Sequence, residues 1–132
     1  MADSPYQQHP SRVHDEPLGL PARAVILGQF RDHLLVLADL LNKDGIVNVV
    51  AGCTDLLDCG VVLHAQIPSV KLLICGGYFE LQDVQDMLAE LSDPALRLLK
   101  VPDGMMMQGG GPPEVRDWIH AQLKANEFTL SR

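Results

Sequence analysis

Val70-Lys71-Leu72-Leu73-Ile74-Cys75 runs directly into Gly76-Gly77-Tyr78-Phe79, and Leu81, Val84, Leu88 and Leu91 then follow at helical spacing. That stretch decides the fold of the chain. A short apolar run reads as a strand, the glycine pair reverses the chain, and the stripe reads as an amphipathic helix. Gln82, Asp83, Gln85, Asp86 and Glu90 form the wet side of that helix. The same unit recurs on either side, with apolar runs from Ala24 to Gly28, Val47 to Ala51 and Leu96 to Val101. Strands alternating with helical patterns imply an α/β sheet, and right-handed crossovers make it parallel. The shortest connections give about four strands in the order 2-1-3-4, with helices on both faces.

The helices carry their own boundaries. Phe30, Leu34, Leu37, Ala38 and Leu41 mark the first, with Asp39 and Lys43 four apart and Gly45 as its stop. Thr54 or Asp55 caps a second helix, whose apolar positions include Leu57, Val61 and Leu63. The last helix opens on Pro113 and Glu114 and carries Val115, Trp118, Ile119 and Leu123 down one face, so Trp118 is expected against the sheet. Met105-Met106-Met107-Gln108-Gly109-Gly110-Gly111-Pro112 reads as a loop between the fourth strand and that helix.

A chain of 132 residues has room for one core. Residues 1–22 hold Pro5, Pro10, Pro17 and Pro21 among polar residues without periodicity, and read as a flexible arm. Residues 23–127 form the single α/β domain and 128–132 a C-terminal tail. The formal charge of −7 opposes the field that a nucleic-acid or anionic-membrane binder needs. No apolar run approaches the roughly 20 residues of a membrane span, and the first residues do not form a signal peptide. The chain reads as intracellular, in the cytoplasm. Three cysteines, an odd number, fit free thiols in a reducing compartment. Cys53 and Cys75 close strands two spacings apart, roughly 10 Å, which is too far for a disulfide.

In open parallel sheets, ligands bind at the carboxyl ends of the strands. Here those turns are Gly28-Gln29-Phe30-Arg31-Asp32, Gly52-Cys53-Thr54-Asp55, Gly76-Gly77-Tyr78-Phe79 and Pro102-Asp103-Gly104. None is a phosphate loop or a nucleophile elbow. Gly28-Gln29-Phe30-Arg31-Asp32-His33 supplies only the first glycine of a dinucleotide fingerprint, so ordinary NAD binding is not expected. His33, Cys53, Cys59, His64 and Cys75 lack paired metal-ligand spacing, so no metal is expected either. What remains is apolar: Tyr78 and Met106 suit a small organic ligand or a partner protein, with Gln29, Arg31 and Asp103 as polar contacts. The competing class is a small acid-base enzyme using Asp32, His33 or Tyr78. An exposed fourth strand, with Arg97 and Lys100 upon it, leaves a homodimer as one way to cover a sheet edge.

With its strands and turns in this order, the segment 23–125 resembles a response-regulator receiver domain in topology, one of the small flavodoxin-like or Rossmann-like folds. The resemblance implies an acidic pair after strand one and an acceptor aspartate after strand three. Gly28-Gln29 and Cys75-Gly76 stand there instead, so it extends at most to a pseudo-receiver without phosphoryl chemistry. Val70 to Leu123 is also similar in its order of elements to the C-terminal part of α/β-hydrolases, whose catalytic histidine and G-x-S-x-G are both lacking.

Overall fold

The computed structural model describes residues 12–13, 18–67, 69–91, 95–108 and 110–129. In chain order the elements are β1 (Arg12–Val13), β2 (Ala22–Leu27), α1 (Arg31–Asp44), β3 (Val47–Cys53), α2 (Leu56–Gln66) and β4 (Leu72–Cys75). They continue with α3 (Leu81–Leu91), β5 (Arg97–Lys100), α4 (Met105–Gln108), α5 (Pro112–Ala125) and β6 (Glu127–Phe128). Four strands form one parallel sheet in the order β3-β2-β4-β5, which is the 2-1-3-4 order that the apolar runs imply. Helices cover both faces, giving a small Rossmann-like or flavodoxin-like domain.

Alternation along the strands divides the core into two layers. Ala24, Ile26, Leu72, Ile74 and Leu99 face α1 and α5, where Leu34, Leu37, Leu41, Val115 and Ile119 close over them. Val25, Leu27, Leu73 and Leu98 face α2 and α3, whose Cys59, Leu63, Val84 and Leu88 complete the opposite layer. Ile26 and Leu73 are buried in adjacent central strands, and Trp118 packs half-buried against the first layer. Gly45, left-handed at φ 72°, ends α1, and the Asp55 side chain accepts the Asp58 N–H at 2.8 Å to cap α2.

Several details differ from the sequence reading. In α2, Leu63 is buried but Leu57 and Val61 are exposed, and Cys59 takes the other sheet-facing place. This helix is apolar nearly all round, so spacing alone does not select its inner face. The methionine segment expected as a loop contains a helical turn, α4, and its Met105 is buried.

The sheet edge at β5 is also built differently. Arg97 and Lys100 are buried rather than solvated edge charges. The residues after α5 turn back along this strand: Thr129 N–H donates to Leu98 O at 2.8 Å, and Lys100 N–H donates to Thr129 Oγ1 at 2.9 Å. Phe128, placed by sequence in a tail, is fully buried with the Arg97 guanidinium 5.0 Å from its ring centre. Arg97 also donates to Asn126 Oδ1 at 3.3 Å. Of the expected N-terminal arm, residues 1–11 and 14–17 lie outside the described residues, while Arg12–Val13 pairs antiparallel with Glu127–Phe128. The chain therefore covers the β5 edge itself, where a dimer was one expected solution. The opposite edge, β3, has its Val49 N–H taken by Asn42 Oδ1 of α1 at 2.7 Å. Among the described residues no helix is long and apolar enough to cross a membrane.

Candidate functional site

The turn after β2 runs Gly28-Gln29-Phe30 and enters α1 at once. Phe30 stands at the N-cap position in extended conformation and offers no side-chain cap. Across from it, β4 ends in the Gly76-Gly77-Tyr78 turn, and β5 leads through Val101 and Gly104 into α4. Between these turns lies a hollow of about 70 Å³. Its floor is apolar, made by Ile26, Ile74 and Val101, and Leu34 and Leu37 of α1 form one wall. Met106 closes the side toward α4, while Gln29 and His33 are the polar side chains that reach it. Phe30 and Tyr78 flank the mouth, and Tyr78 is 65% exposed.

The rings at the mouth are held edge-on. Phe30 meets His33 with ring centres 5.7 Å apart, and Tyr78 meets Phe79 at 5.1 Å. Phe79 is buried, so it anchors the turn that presents Tyr78.

Of the residues singled out by sequence, Gln29, His33, Tyr78 and Met106 come together at this hollow. Arg31 and Asp32 are exposed in the first turn of α1 and do not line it. Asp103 is engaged elsewhere, its Oδ1 3.3 Å from Lys100 Nζ. Among the described residues the side chains of Asp32, His33 and Tyr78 share no hydrogen bond, so no base is coupled to a carboxylate or a nucleophile there.

Lys100 supports the site in a way that its sequence position does not suggest. Its side chain is 1% exposed, and Nζ donates to Gly77 O at 3.2 Å as well as to Asp103. Burial of an ammonium is tolerated here because a carboxylate and a carbonyl both face it. The two turns also touch directly: a β-carbon on Gly77 would fall 2.8 Å from Asp103 Cα, closer than any side chain permits. Glycine at 77 is therefore required by backbone approach, and Lys100 fastens that approach from below.

The three cysteines lie in the α2/α3 layer, at the end of the sheet near these turns. All are buried free thiols, and the Cys75 S–H donates to Gly76 O at 3.4 Å. Burial raises all three pKa values: Cys75 is pushed up to about 12 although Lys100 beside it favours the thiolate, and Cys59 rises further still. Thiols held protonated in this way are poor nucleophiles and poor metal ligands at neutral pH. Among the described residues no group of His, Cys, Asp and Glu is placed to hold a metal ion. No protein-family model matches the chain, and no curated protein matches it significantly.

Proposed function

We propose that this chain is a non-catalytic binding domain that receives one small apolar side chain of a partner polypeptide at the carboxyl edge of its sheet. The observation that carries the reading is the hollow between the β2, β4 and β5 turns, apolar within and flanked by the exposed rings of Phe30 and Tyr78. Its size selects the occupant. Pockets for whole cofactors measure about 300–1,000 Å³, and even benzene occupies cavities near 150 Å³. A hollow of about 70 Å³ fits a branched or thioether side chain better than a flat ring system. Burying such a group contributes about 1.5–3 kcal/mol, and the flanking rings supply the kind of aromatic surround found at binding hot spots. Three buried thiols suit a reducing, intracellular setting.

The test is a titration with N-acetyl-leucine methylamide, read on the methyl NMR signals of Ile26, Leu37 and Ile74, with indole as the ring-shaped comparator. The leucine derivative is expected to move these signals at millimolar concentration, and Met106→Trp, which fills the mouth, to abolish the response. Absence of any shift up to the solubility limit would sink the reading. Preference for indole would favour a small organic ligand instead. Turnover that is lost in His33→Ala while binding persists would establish the acid-base enzyme in its place.

A further inference from the structure

A second apolar surface lies between α2 and α3, on the helical layer away from α1 and α5. Gly60 of α2 meets Met87 of α3, a β-carbon at Gly60 standing 3.5 Å from Met87 Cγ. Above that contact runs an open groove of about 580 Å³. Leu57, Val61 and His64 line it from one side at helical spacing, and Met87, Glu90 and Leu91 from the other. Leu57 is 80% and Val61 64% exposed, although both belong to a helix whose inner positions are already filled by Cys59 and Leu63. Exposed neighbouring apolar side chains over a groove are costly in water and mark a surface built to be covered.

Charge decides what covers it. Neither residues 54–66 nor residues 76–91 contain a lysine or arginine, whereas Asp55, Asp58, Glu80, Asp83, Asp86 and Glu90 are all exposed. Hydrogen bonding with the Asp55 carboxyl, and then its charge, raises the Asp58 carboxyl from its ordinary value. A second copy laid on this face would bring carboxylates against carboxylates, and like charges across an interface suppress pairing. We infer that the α2/α3 groove docks a basic amphipathic helix, with apolar residues at i, i+4 and i+7 seated along Leu57, Val61 and Met87 and with Lys or Arg against Asp86 and Glu90. Such a helix-in-groove contact reads apolar anchors by spacing and the partner's charge at the rim. This surface is separate from the carboxyl-edge hollow and does not depend on its occupant.

The probes are two synthetic helical peptides with the same leucines at i, i+4 and i+7, one flanked by lysines and the other by glutamates. Fluorescence anisotropy gives affinity, and methyl NMR signals of Leu57, Val61 and Met87 give position. The lysine peptide is expected to bind at least about tenfold more tightly than the glutamate peptide and to weaken as salt rises. Leu57→Ser with Val61→Ser should remove binding while the far-ultraviolet circular dichroism is unchanged, and Asp86→Lys with Glu90→Lys should reverse the preference between peptides. Equal affinity for both peptides, no binding at millimolar concentration, or shifts confined to the hollow near Tyr78 would overturn the inference. Self-association of the wild-type chain that Leu57→Ser abolishes would overturn it too, by making a second copy the occupant.

Discussion

Phe128→Ala is the sharpest test of how the fold is closed. The ring is fully buried in the α1/α5 layer, so truncation leaves a cavity at a cost of about 3–5 kcal/mol. The Arg97 guanidinium, 5.0 Å from the ring centre and itself buried, loses a cation–π partner worth about 0.5–2 kcal/mol. The sum is about 3.5–7 kcal/mol, against a total stability of about 5–15 kcal/mol for a natural domain. With a urea dependence of about 2 kcal/mol per molar, the unfolding midpoint should fall by about 2–3.5 M. Urea titration followed by circular dichroism and by Trp118 fluorescence reads this directly. Phe128→Leu, which keeps most of the volume although it too loses the ring face over Arg97, should cost clearly less than the alanine variant. A midpoint lowered by less than about 0.5 M in the alanine variant would refute the reasoning, because the ring would then contribute no core packing.

Gly77→Ala should destabilise by about 1–3 kcal/mol in the same titration, because the added carbon meets Asp103 backbone rather than a movable side chain. Leu57→Ser and Val61→Ser should each change stability by less than about 0.5 kcal/mol, whereas Leu63→Ala on the inner face of α2 should cost about 2–5 kcal/mol. The native protein should resist labelling by a thiol-reactive disulfide reagent at pH 7.5 and yield all three thiols in denaturant, since each is buried and held protonated. Below the ordinary thiol pKa of 9.0 these groups are protonated folded and unfolded alike. Above it the unfolded chain releases protons that the folded one keeps, so stability should fall from pH 9.0 toward pH 12, and less steeply in Cys75→Ala.

The architecture was legible because each strand is a short apolar run next to a turn, and because crossover handedness leaves few orders to choose from. Ala24 to Leu27 and Leu72 to Cys75 declare themselves as central strands by being apolar on both faces. Distant partners were not legible. Arg97 and Lys100 look like edge charges until Phe128, Asn126, Thr129, Gly77 and Asp103 are brought to them by the fold. The inner face of α2 was hidden for another reason: Leu57, Val61, Cys59 and Leu63 are all apolar, and only packing distinguishes them. At the carboxyl edge, the strand order brings the turns after β2, β4 and β5 together, with Gln29, Tyr78 and Met106 lining one hollow and Arg31 outside it, but it did not reveal that Asp103 is held by a buried lysine.

Lys100 joins two events that look unrelated in sequence. Its amide N–H binds Thr129 Oγ1, and its ammonium binds Gly77 O and Asp103, so the segment after α5 and the rim of the hollow share one residue of β5. Peeling Glu127–Thr129 from the strand frees the N–H of the residue that carries the ammonium. The amides of Lys100 and Thr129 should therefore exchange with solvent deuterium together with those of the Gly77–Phe79 turn, as one cooperative opening unit rather than as a frayed end and a separate loop.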